Sequence, residues 1–98
     1  MNKQLHKQFR LNFNSICLKR DRYKCKLCKK IEDLDVHHII DRHDMPNGGY
    51  ASSNGITLCK MCHLAAETCN YPDAFTLYKL NNTTFEQSYI DCENLLKD

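Results

Sequence analysis

Residues 25–63 read CKLCKKIEDLDVHHIIDRHDMPNGGYASSNGITLCKMCH, and the fold turns on how this segment is parsed. It opens on one CxxC, Cys25 with Cys28, and closes on a second, Cys59 with Cys62. Two chelating thiolate pairs are what a tetrahedral structural zinc takes. The gap of thirty residues between the pairs exceeds the roughly 15 to 20 of an ordinary zinc ribbon, so an extra unit is inserted between the knuckles. Disulfides or redox-active pairs are the competing reading, but no βαβ pattern surrounds either motif.

Inside the insert, Leu34 to Ile40 (LDVHHII) is β-branched and apolar enough for a strand. Asp41 to Gly55 collects Pro, Asn, Ser and Gly, which predicts a long reversing loop. Ile56 to Leu58 then reads as a short returning strand, and Met61 to Thr68 as a helix opening out of the second knuckle. Closing both knuckles on one ion pins the ends of this hairpin and fixes the histidines it carries. Adjacent residues on a strand face opposite ways, so His37 and His38 are poorly placed to chelate one ion together. They are well placed to divide labour: one holds a metal, while the other, with an unperturbed pKa of about 6.5, accepts a proton from water. His63 follows Cys62 directly and is positioned by the knuckle.

Outside the segment, Phe9, Phe13, Ile16 and Cys17 recur at helical spacing and predict an amphipathic helix from Phe9 to Arg20, ending near Asp21. Pro72 suits the first turn of a helix running to Leu80, and Asn81 and Asn82 break it. Thr83 with Glu86 forms a capping box for a last helix, whose stripe of Phe85, Tyr89, Cys92 and Leu96 is expected to pack into the core, with a dimer face as the alternative. Cys17, Cys69 and Cys92 lack a partner at chelating spacing and are expected to be small buried hydrophobes. His6 and His43 are assigned no role.

A chain of 98 residues fits one domain and buries too little apolar surface to be comfortable without a staple. Three parts are expected: a basic N-terminal helix (1–22), a zinc-bound core (23–68) and C-terminal helices (69–98). The seven cysteines are odd in number, and the polar start MNKQLHKQFR carries no apolar leader, which argues for an intracellular metalloprotein over a secreted disulfide framework. No apolar run approaches the ~20 residues that cross a bilayer, so no membrane partner is expected. The net charge of +2 hides an asymmetry: residues 1–30 hold ten Lys or Arg against the single acid Asp21, whereas the rest hold four bases and eleven acids. A basic arm on an acidic body suits a polyanion, although a solvated helical surface would read alike.

The strings ICLKRDRYKCKLC, LDVHHI and ITLCKMCH, with Asn54 between the last two, resemble the HNH endonucleases, in the subgroup with a CxxC at each end of the motif. The resemblance covers Ile16 to about Glu67. It implies an α+β fold: a small zinc-stapled ββα-metal finger, with two antiparallel strands, a loop and a ligand-bearing helix, here flanked by N- and C-terminal helices. It also implies that His38 is the general base, that His37 and His63 hold a catalytic divalent ion such as Mg²⁺ or Mn²⁺, and that Asn54 braces the loop. The cysteines Cys25, Cys28, Cys59 and Cys62 would hold the structural Zn²⁺. The nine-residue step from Asn54 to His63 agrees with the family pattern.

One position departs from it. Colicin-type members carry a further histidine four residues after the one matching His63, and this chain has Glu67 there. Glu67 shares a helical face with His63 and is either a carboxylate ligand or a surface acid; the surface reading is preferred, because related CxxCH members do without that ligand. Asp35 is read as an outward-facing strand residue in preference to a hydrogen-bonding partner of His37.

The activity implied is hydrolysis of DNA phosphodiester bonds, by nicking or double-strand cleavage, in the cytoplasm of a bacterium or a phage-infected cell. Lys19, Arg20 and Lys24, with the helix beginning near Met61, are the expected phosphate contacts. A homodimer or a larger assembly is left open. The competing functions are a non-catalytic, zinc-ribbon-like module that binds nucleic acid, and a protein-interaction adaptor built on an inactive nuclease finger.

Overall fold

The computed structural model describes residues 1–97. Its element order is a long helix α1 (Lys3–Arg20), strand β1 (Leu34–His38), a loop of three short 3₁₀ turns, strand β2 (Gly55–Cys59), and helices α2 (Lys60–Cys69), α3 (Ala74–Leu80) and α4 (Phe85–Glu93). The strands form a two-stranded antiparallel sheet in which Leu34 faces Cys59, His37 faces Ile56 and His38 faces Gly55. This is the expected α+β finger between flanking helices.

Helix α1 starts earlier than the apolar spacing predicts, because Asn2 caps it and accepts a 2.8 Å hydrogen bond from the Leu5 amide. Phe13 and Cys17 are buried as expected, whereas Ile16 is 53 % exposed. Ile16 lies next to Cys17 in sequence but about 100° around the helix, off the buried face. Strand β2 is buried at every residue. One of its faces turns Ile56 and Leu58 toward Ala66 of α2 and Leu77 and Tyr78 of α3; the other turns Gly55 and Thr57 toward α1. Gly55 is required where α1 crosses, since a Cβ there would sit 2.5 Å from Cζ of Phe13 and 2.6 Å from Sγ of Cys17.

Several helix starts shift from their predicted places. Pro72 precedes α3 rather than entering its first turn, and Asp73 caps the helix by accepting from the Thr76 amide at 2.9 Å. Thr84, not Thr83, caps α4, accepting from the Gln87 amide at 3.1 Å. Of the predicted α4 stripe, Cys92 is buried, but Phe85, Tyr89 and Leu96 are exposed; Ser88, Cys92 and Leu95 face inward instead. Cys69 is exposed too, against expectation. Among the described residues no helix is long and apolar enough to cross a membrane.

A residue pair absent from the motif reading holds α1 to the sheet. The side chain of Asp21 is fully buried. It accepts two 2.8 Å hydrogen bonds from Arg20, through Nε and one Nη, and a third of 2.9 Å from the Thr57 amide. Arg20 also donates to the carbonyls of Ser52 and Gly55, each at 2.8 Å. Beside the phosphate contact expected of it, Arg20 thus has a structural part: its guanidinium ties the end of α1 to the start of β2.

Candidate metal and catalytic site

The first cluster joins the two knuckles. The ligand atoms of Cys25, Cys28, Cys59 and Cys62 all lie within 4.8 Å of one another. The Cys28 and Cys59 sulfurs are 3.6 Å apart, far beyond the ~2.05 Å of a disulfide, and all four thiols are free. Burial pushes the Cys25 thiol up, but hydrogen bonds from the backbone at Cys28, Cys59 and Leu27 outweigh it and bring the pKa down to about 6. A thiolate so readily formed, in a closed set of four sulfurs, suits structural zinc.

The second cluster is built by β1 and α2. Because side chains alternate along β1, His37 turns with Ile56 toward α2, and His38 turns with Gly55 toward α1. The His37 ring meets that of His63 with centroids 5.0 Å apart. Glu67, one turn further along α2, completes the group: its Oε1 is 2.8 Å from Nε2 of His63 and 4.0 Å from Nδ1 of His37. The three ligand atoms lie within 4.8 Å of one another. Glu67 is exposed, as a surface acid is, and its carboxylate also converges on the two histidines. Asp35 is exposed, as expected, but its Oδ2 lies 3.3 Å from Nδ1 of His63. Its neighbour is His63 and not His37, and the contact orients the imidazole so that Nε2 faces Glu67.

Nδ1 of His37 is buried and has no hydrogen-bond partner among the described residues. Burial, then the neighbouring His63, depress its pKa to about 4. A neutral, unpartnered imidazole nitrogen facing a histidine and a carboxylate is the donor set a divalent cation takes. The residues therefore fit the catalytic ion that the sequence implies.

His38 lines the same cleft. Its ring stacks on Phe13 at 4.5 Å and meets the edge of Tyr50 at 5.4 Å. Burial lowers its pKa, and a hydrogen bond with the Gly48 backbone partly offsets this. The ring is therefore neutral near pH 7, with Nε2 unpartnered among the described residues. Asn54 acts at one remove: its Nδ2 donates to the carbonyls of Ile40 and Gly49, while its Oδ1 accepts from the Ile40 amide and from the Tyr78 hydroxyl. These four bonds brace the loop bearing Gly48 and Gly49 against the end of β1. A Cβ on Gly49 would sit 2.8 Å from Nδ2 of Asn54, and its φ of +66° also favours glycine.

Together these side chains line an open cleft of about 570 Å³, shared by His37, His38, His63, Glu67, Asp41 and Arg42. The fold and the site define a zinc-stapled ββα finger. The HNH endonuclease family model matches residues 15–68, and the chain belongs to that family. No curated protein and no solved structure matches it. Membership makes the chain a nuclease-type protein, whose family acts with metal on nucleic acid.

Proposed function

We propose that this chain is a metal-dependent endonuclease that hydrolyses DNA phosphodiester bonds, with His38 as general base and one divalent ion held by His37, His63 and Glu67. One observation carries the reading: three donors of mixed nitrogen and oxygen character converge in a cleft that a neutral imidazole, unpartnered among the described residues, also lines. A purely structural zinc module has no use for such a set of groups.

In this reading His38 takes the proton from the attacking water. Its stack on Phe13 and its contact with Tyr50 hold the ring plane, so little reorganisation is needed at the moment of transfer. Asn54 is a positioning residue, acting through the loop it braces. Asp35 holds the His63 ring in orientation. The divalent ion, when bound, would supply neutralisation of charge developing on the phosphate and on the leaving oxygen.

The test is cleavage of supercoiled plasmid in Mg²⁺ or Mn²⁺. His38→Ala is expected to slow cutting by about 10²- to 10⁴-fold while zinc content and circular dichroism stay those of the parent. Cutting at the parental rate would overturn the assignment of the base. A parent that cuts under no divalent ion would overturn the proposal in favour of a binding module.

A further inference from the structure

The basic character of residues 1–30 is not spread evenly around α1. Lys3, His6, Lys7 and Arg10 recur at steps of three, one and three, the pattern of a single helical face. In the next two turns that face continues as Asn14 and Cys17, and there the helix seats on β2. Only the first half of α1 carries a cationic stripe. It forms one wall of a groove of about 590 Å³ whose other wall is Arg42 and His43, from the turn after β1.

Three features distinguish this groove from an ordinary solvated surface. Among the described residues no acid lines it, and of the two acids that flank Arg42 and His43 in sequence, Asp41 is engaged with His43, accepting from its amide at 2.8 Å with Nδ1 at 2.9 Å. Next, the stripe is docked rather than free: the Tyr50 hydroxyl lies 3.0 Å from Nε2 of His6, and the same Tyr50 ring contacts His38. Finally, Arg42 lines both this groove and the cleft holding His37, His38 and His63. Arg42 therefore stands at the boundary between the groove and the cleft.

We infer that this groove is the track for the polynucleotide backbone flanking the scissile phosphate, with Lys3, Lys7 and Arg10 on successive phosphates and Arg42 at the junction with the cleft. The inference rests on the nuclease reading above and moves the principal contact to the opposite end of α1 from Lys19 and Lys24. From Lys3 to Arg10 the helix advances about 10 Å, about three nucleotides of B-form rise at 3.4 Å per strand step. Contacts of this kind neutralise charge and do not read bases.

The experiment is fluorescence anisotropy with a labelled 20-base-pair duplex, in a His38→Ala background so that cleavage does not intrude, between 50 and 200 mM salt. Lys3→Ala/Lys7→Ala/Arg10→Ala is expected to weaken binding and to lower the slope of log K against log salt by roughly three. Lys19→Ala/Lys24→Ala is expected to change the slope by less than one. The inference is overturned if the triple variant keeps the parental slope, or if the Lys19/Lys24 pair shows the larger loss. Should the triple variant melt below its parent, Lys7→Gln replaces it, with an expected slope change of about one. Because binding is read without cutting, failure of the track and failure of the nuclease reading are separable: a parent that cuts plasmid while the triple variant binds normally sinks only the track.

Discussion

The two candidate ligand clusters of this finger have the same compactness and opposite designs. Cys25, Cys28, Cys59 and Cys62 and the trio His37, His63 and Glu67 each bring their donor atoms within 4.8 Å. The cysteine set is closed: four like donors, contributed by the two segments that must be held together. The histidine set stops at three donors, and its remaining side is an open cleft bounded by His38 and Arg42. A closed set contributes folding energy, and an open one leaves positions for water and substrate. Opposite consequences of mutation follow.

The largest effect is expected at the closed site. Cys59→Ser should abolish tight zinc binding and with it the fold, because structural zinc contributes on the order of 10 kcal/mol in small domains, about as much as a domain's whole stability. Circular dichroism and zinc content check this together; a folded, zinc-free variant would show that the staple is dispensable. At the open site, His63→Ala should leave zinc content and melting temperature near parental and remove most cutting. A variant that unfolds would erase the distinction between the clusters. Glu67→Gln sharpens it further: cutting should fall about tenfold or more and recover in part at higher Mn²⁺ if the carboxylate is a ligand, whereas unchanged rate and metal dependence would return Glu67 to the surface.

A smaller, purely structural effect is expected at Asp21. Burial raises its pKa, but the hydrogen bonds from Arg20 and Thr57 outweigh this and hold the carboxyl below the usual range. With the folded value depressed, the carboxylate's contribution is fully present above the unfolded value near 4 and is lost as pH falls through the lower folded value. Asp21→Asn should cost on the order of 2 kcal/mol at pH 7, seen as a lower melting temperature, and should flatten the acid limb of the stability profile. An unaltered limb would mean that Arg20 and Asp21 are an incidental pair.

What the sequence disclosed follows the same division. The CxxC pairs, His37 and His38 on a strand, Asn54 and His63 are local signals at fixed spacing, and the hairpin and α2 were legible from them. Closure of the knuckles then brings the distant halves together. The roles of Arg20, Phe13, Tyr50 and Tyr78 were not legible, because each depends on a partner far away in the chain. Arg20 sits in a basic run, and its bond to the Gly55 carbonyl comes into view only once β2 lies beside α1. The one sequence cue was Asp21 itself, the sole acid in the first thirty residues. Glu67 was half legible: its i+4 step from His63 is visible, but its approach to His37 needs the β1–α2 packing. Ile16 and the α4 stripe were misread because periodicity identifies an apolar face without saying whether anything covers it.

The most direct test of the two-cluster account is metal binding to the purified protein, read by zinc X-ray absorption together with Mn²⁺ titration monitored by electron paramagnetic resonance. The account predicts a tightly held zinc ringed by sulfur at about 2.3 Å, and a second, weaker Mn²⁺ site that disappears in His37→Ala/His63→Ala while the zinc signal is unchanged. Mn²⁺ binding that survives the double substitution, or zinc found on imidazole nitrogen, would contradict it.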